Sequence, residues 1–114
     1  MSGCIFCRIA SKEVPSTIVW EDERAVAFRD ANPKAPLHVL VVPRQHIVDL
    51  RAAAEEDEPL LGHLMWVAAQ VAKQEGVSET GFRVVVNAGP NAGQSVDHLH
   101  VHLLGGRALG WPPG

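Results

Sequence analysis

Between residues 98 and 103 polar and apolar positions alternate strictly: His98, His100 and His102 interleave with Leu99, Val101 and Leu103. A period of two belongs to a β-strand, whose side chains point to opposite faces in turn. The pattern predicts a strand that gives its apolar side chains to a core and its three histidines to the other face. Histidines so placed stand about 6–7 Å apart, close enough to act on one substrate or to share a metal. A half-exposed strand with histidine as filler is the plainer reading, but histidine is only a middling strand former.

The same reading extends along the chain. Residues Ile5 to Ala10 suggest a short helical turn, and Pro15 breaks the chain after it. TIVWE (17–21) and RAVAFRD (24–30) read as two strands of a hairpin, and HVLVVP (38–43) as a strand that Pro43 ends. Leu60, Leu61, Leu64, Met65, Ala68, Val71 and Ala72 recur at helical spacing and predict a helix from about Glu58 to Glu75. Asp57 can cap its start, Pro59 suits its first turn and Gly76 its end. His63 reads as an ordinary surface or boundary residue of that helix, FRVVVN (82–87) as a further strand, AGPNAGQS (88–95) as a loop, and GGRALGWPPG as an irregular tail. Strands grouped around one long helix predict an α+β fold: a mainly antiparallel sheet, one long helix and a short N-terminal helix. The repeated strand–helix alternation of a doubly wound fold is absent, as are GxGxxG and P-loop patterns.

Composition narrows the function. The 114 residues fit one domain, 46% of them hydrophobic and 20% charged, an ordinary globular balance. A net charge of −3 argues against a nucleic-acid partner, whose footprint would be basic. No apolar run approaches the ~20 residues that span a bilayer, so no membrane partner is expected. MSGCIFCRIASKE lacks the pattern of a secretory signal, and the expected location is the cytoplasm.

The chemistry gathers at the histidines and the loop before them. Gly89, Gly93, Asn87 and Asn91 surround a chain reversal, and successive backbone N–H groups in such a turn can bind an anion. Gln94 and Ser95 add side-chain donors. Taken alone, this is as well read as a plain hairpin loop; beside three aligned histidines an anion site is the better reading. Neutral imidazole can attack phosphorus and form a phosphoramidate, and a protonated one can assist a leaving group. Imidazole is equally a metal ligand, so a catalytic metal held by the three histidines is a competing use.

HLHVHLL fits the histidine triad pattern, and with IFCRI, FRDANPKAPLHVLVVPRQH, LLGHLM, RVVVNAGPNAGQS and the ending GGRALGWPPG the chain resembles histidine triad nucleotide-binding proteins of the Hint branch over nearly its whole length. The WPPG ending favours that branch over the dinucleoside-polyphosphate hydrolases. His102 stands where the transferases carry Gln, which implies hydrolysis. The resemblance implies a homodimeric purine nucleoside phosphoramidase that hydrolyses adenosine 5′-phosphoramidates to AMP without a catalytic cofactor. His100 would be the nucleophile and carry a covalent AMP, His102 would contact the phosphate, Ser95 would bond near the leaving group, and His38 would belong to a relay orienting His100. Asp30 would bind the ribose hydroxyls. Asn87, Gly93, Gln94 and Ser95 would form the phosphate-side loop, and Phe6, Ile9, Phe28 and Ala31 the base pocket for AMP or GMP. On their residues alone, Asp30 could simply start a turn, and Phe6 and Phe28 could be plain core. The alternative is a nucleotide-sensing or partner-interaction module with incidental turnover.

Two features stand apart. Asp97 lies where many relatives carry an aromatic, changing the charge beside the triad. CIFC by itself reads as a redox pair or as two buried thiols. By resemblance to the Cys-bearing relatives, Cys4, Cys7, His46 and His98 would instead complete a structural zinc site of the Cys₂His₂ kind.

Overall fold

The computed structural model describes residues 3–114. Among these, an antiparallel sheet of order β1-β2-β3-β5-β4 is built from β1 (Ile18–Glu21), β2 (Ala25–Arg29), β3 (Leu37–Pro43), β4 (Phe82–Val86) and β5 (Val101–Gly105). Helix α2 (Glu58–Gln74) covers one face and helix α1 (Ile5–Ala10) part of the other. The expected α+β architecture is the one observed, with strand and helix bounds within a residue or so of the sequence reading except at the histidine strand, which begins only at Val101. Short 3-10 turns at Leu50–Ala52, Glu55–Asp57 and Pro90–Ala92 were not anticipated.

Pleating sorts the side chains. Leu37, Val39 and Val41 of β3 join Val101 and Leu103 of β5, Ala25 and Ala27 of β2, and the Leu64, Val67, Ala68 and Val71 face of α2 in the larger core. Val26, Phe28, Leu40 and Val42 point the other way and pack against Phe6, Ile9 and Ala10 of α1. Strand β3 is thus buried on both faces along its whole length, which explains its nearly unbroken apolar run. His38 is the polar exception in it, and is 5% exposed. Burying imidazole there needs a partner, and that partner belongs to the site described below.

Helix α2 ends as its sequence suggests. The N–H groups of Gly76 and Val77 donate back to the carbonyls of Lys73 and Ala72, a Schellman closure. Its start differs: the Asp57 carboxylate accepts from the Ala54 N–H and so holds the preceding 3-10 turn rather than the helix itself. His63 is more committed than an ordinary surface residue. Its Nε2 lies 2.7 Å from Asp22 Oδ2, which also accepts from Trp20 Nε1, and its ring stacks on Trp66. Burial acts on Asp22 in the opposite sense, yet hydrogen bonds from Trp20, the Arg24 N–H, His63 and the Ala25 N–H hold its carboxyl well below the usual range. This contact ties α2 to the β1–β2 turn. No helix among the described residues is long and apolar enough to cross a membrane.

Candidate functional site

The histidine segment departs from one regular strand. Ladder pairing begins at Val101, opposite Val41, and residues 96–98 bend before it. Leu99, Val101 and Leu103 enter the larger core, as alternation requires. The histidines do not act as one row. His100 and His102 line a pocket, whereas His98, fully buried, turns its Nδ1 toward Cys4, Cys7 and His46. A metal shared by His98, His100 and His102 is therefore not what the geometry brings together.

That pocket has a volume of about 400 Å³. Its apolar wall is Ile5, Phe6 and Ile9 of α1 with Phe28 and Leu40 of the sheet. Asp30, Ser95, His100 and His102 form its polar edge, and Ala31 lies at the rim. Sheet register accounts for the convergence: Phe28 pairs with Leu40, Leu40 pairs with His102, and all three share one face. Val14, Pro15 and Leu40 were missed from the sequence; Leu40, two residues beyond His38 on one strand, carried a signal that could have found it. A neighbouring pocket joins Asp30, His38, Asn87, Ser95 and His102 to Pro113 of the tail.

Hydrogen-bond partners assign the imidazole tautomers. The Lys34 N–H donates to His38 Nδ1 at 3.0 Å, so the proton of neutral His38 sits on Nε2. That N–H faces His102 Nδ1 at 2.9 Å, with Asp30 Oδ2 at 3.5 Å. His102 must then accept on Nδ1 and carry its own proton on Nε2. The relay from His38 thus ends on His102 and not on His100. His100 donates from Nδ1 to the His98 carbonyl at 2.7 Å, which leaves its Nε2 as a lone pair. Asp30 lines the pocket and serves two tasks: Oδ1 accepts from the Asn32 N–H and starts a turn, while Oδ2 faces His38 Nε2 at 3.5 Å.

The loop is less of an anion nest than expected. Gly89 and Gly93 take positive φ, 86° and 77°, where glycine is favoured. Yet the N–H groups of Gly89, Gly93 and Gln94 bond Gln94 Oε1, the Pro90 carbonyl and the Gly89 carbonyl. Gln94 Nε2 donates to the carbonyls of Val48 and Val96. Gly93 and Gln94 line neither pocket; they shape the loop that presents Ser95 to both. Asp97 is exposed; after hydrogen-bonded Asp49, its field adds to what holds the Arg51 guanidinium protonated.

Burial first, and then the nearby His100 and His38, push His102 down to about 4; burial likewise lowers His38, against the opposing field of Asp30. Both rings are neutral at pH 7. The sign for stability follows: the unfolded chain takes these protons near pH 6.5, the folded chain only at lower pH. Their contribution is complete above pH 6.5 and is lost as pH falls toward 4. For His102 alone the loss by pH 5 is on the order of 2 kcal/mol. Urea unfolding at pH 7.5 and pH 5 checks this, and His102→Gln should flatten the slope. Equal slopes in the two proteins would contradict it.

A second group of side chains meets behind α1. The Sγ atoms of Cys4 and Cys7 lie 3.3 and 3.5 Å from His98 Nδ1; Cys7 Sγ is 3.3 Å and His98 Nδ1 3.1 Å from His46 Nδ1. Zinc bonds of about 2.0–2.3 Å in a tetrahedron give ligand–ligand edges of about 3.3–3.8 Å, close to these separations. His98 Nε2 donates to the Pro43 carbonyl at 2.8 Å, which fixes the tautomer and leaves Nδ1 as a ligand. Two thiols and two imidazoles so placed fit a structural zinc centre. Asp30, His38 and His102 also come together, but the proton required on His38 Nε2 disfavours a metal among them.

The comparisons with known proteins agree with this geometry. The chain is 54% identical to a 14 kDa zinc-binding protein of Zea mays, the match covering 99% of this chain and 89% of that one. It is 51% identical to adenylylsulfatase HINT1 of Arabidopsis thaliana, over 99% of this chain and 78% of that protein. A HIT family hydrolase from Legionella pneumophila has the same fold, with a TM-score of 0.96 and 46% identity over 98% of this chain and all of the other. Residues 11–109 match the HIT domain, and the chain belongs to that family.

Proposed function

We propose that the protein is a nucleoside phosphoramidase, hydrolysing AMP–amine P–N bonds through a His100–AMP intermediate. The observation that carries this reading is the His100 tautomer: Nδ1–H is held by the His98 carbonyl, so the Nε2 lone pair is the nucleophile at a pocket with an apolar wall and an acidic rim. A purine fits between Phe6, Ile9 and Phe28, and the ribose hydroxyls donate to Asp30 Oδ2. His100 Nε2 attacks the α-phosphorus; the P–N bond breaks and its electrons leave with the amine, which takes up a proton. His102, with its proton on Nε2, and the Ser95 hydroxyl stand at the pocket as donors. Water then attacks the same phosphorus, the His100–phosphorus bond breaks, and AMP is released. Asn87 flanks the phosphate side, while Gly93 and Gln94 hold the loop.

Relatives described as hydrolases, and one as an adenylylsulfatase, support bond cleavage at an adenylyl phosphorus. Sulfate leaves without a proton, whereas an amine needs one. Side-by-side assays of an adenosine phosphoramidate and adenosine 5′-phosphosulfate therefore test the reading. Faster AMP release from the phosphoramidate is expected; turnover of the sulfate alone would replace it, and binding without turnover would favour a sensing module. Asp30→Asn should weaken AMP about 10-fold, the worth of a charge-assisted hydrogen bond, in calorimetry. Unchanged affinity would remove Asp30 from the ribose site.

We further propose a structural zinc held by Cys4, Cys7, His46 and His98, a homodimer and a cytoplasmic location. The donor set and the zinc-binding relative support the metal. An open β4 edge, with Leu50, Met65 and Phe82 exposed nearby, supports the dimer. Sedimentation as a 12.3 kDa species would refute the dimer.

A further inference from the structure

The two sites meet in one short helix. Cys4 caps α1 and Cys7 lies within it, and between them Phe6 enters the nucleotide pocket. The Phe6 ring meets His100 edge-on, centroids 5.1 Å apart at 78°, and also touches His98 at 6.0 Å and Phe28 at 5.4 Å. A six-residue helix has little stability of its own. What anchors it is its apolar face, the Arg44 bond to the Ala10 carbonyl, and the sulfurs against His46 and His98. His98 forms a second link: its ring would be a ligand, and its carbonyl accepts the hydrogen bond that sets the His100 tautomer.

We propose that the Cys4–Cys7–His46–His98 centre is a positioning device for the reaction, setting the His100 ring and the base wall through Phe6 and the His98 carbonyl, so that nucleotide affinity depends on metal occupancy. The inference rests on the zinc reading above and extends it to catalysis. Four lone-pair-bearing atoms at 3.1–3.5 Å repel unless an ion or protons lie among them. Without the ion only weak S–H to imidazole contacts tie these side chains together, and the parts freest to move are α1 and the bend at residues 96–98. Both border the nucleotide pocket. Phe6 is then a positioning residue as well as a pocket wall.

The test uses the whole chain with reduced cysteines. Cobalt(II) titration reads the centre directly through thiolate charge-transfer and tetrahedral ligand-field bands. AMP affinity by calorimetry and the His100 Nδ1–H resonance in histidine-labelled protein read the coupling. Loaded protein should bind AMP about tenfold more tightly than the chelated form, and the resonance should fade on chelation. His46→Ala, outside the nucleotide pocket, should reproduce both changes. If cobalt binds tetrahedrally but chelation changes neither AMP affinity nor the resonance, the coupling is overturned and the zinc site stands. If cobalt does not bind, both are overturned. If the metal-free chain unfolds, Phe6→Leu in loaded protein decides. A fall in kcat of about 10²-fold with the resonance lost supports positioning, and unchanged kcat and resonance overturn it.

Discussion

Alanine at position 100 should lower the proposed hydrolysis by roughly 10⁴-fold or more and leave a folded protein. Among the described residues, no other side chain lining the pocket offers a tautomer-fixed imidazole lone pair of this kind. His102 carries its proton on Nε2 because His38 occupies its Nδ1, and His38 itself is turned by the Lys34 N–H. His100 packs against Phe6 and is buried, so its loss leaves a small cavity that costs on the order of 1–3 kcal/mol. A fold with two apolar clusters on opposite faces of the sheet should absorb that. Steady-state AMP release and a thermal melt on the same sample separate lost chemistry from lost structure. Activity within tenfold of wild type would exclude His100 as the nucleophile.

Replacing both sulfurs, Cys4→Ser with Cys7→Ser, should abolish zinc binding and lower stability by about 4 kcal/mol when free zinc exceeds its dissociation constant a thousandfold. Metal analysis and urea unfolding with and without zinc check both parts. The metal-dependent stability should vanish in the double variant, because the two remaining imidazoles cannot close a tetrahedral site. The sheet should persist, since its larger core packs against α2 without either cysteine. Equal zinc content in the two proteins would contradict the ligand assignment.

Much of this architecture could be read from spacing. Leu99, Val101 and Leu103 betray the core face through their period of two, and the α2 stripe through its period of 3.6. His38 stands out as the polar residue in an otherwise apolar strand buried on both faces. What spacing could not supply was set by contacts distant in sequence. The bend at 96–98 takes His98 away from its two neighbours because Pro43, Cys4, Cys7 and His46 claim both its nitrogens. Gln94, read as a donor to a ligand, is engaged by Gly89, Val48 and Val96. His63 looked ordinary on its helix because Asp22 and Arg24 reach it from a hairpin about forty residues away. The zinc donors and the Asp30 role came from family resemblance, not from periodicity. The structure brings those donors together and puts Asp30 among the residues lining the pocket.

The most direct measurement of the central claim is the mass of the protein during turnover. Purified protein mixed with an adenosine phosphoramidate and quenched at short times should show a species heavier by one adenylyl group, mapped by peptide analysis to His100. It should decay as AMP appears and be absent from His100→Ala. Turnover with an adduct on another residue, or turnover undiminished in His100→Ala, would contradict the account.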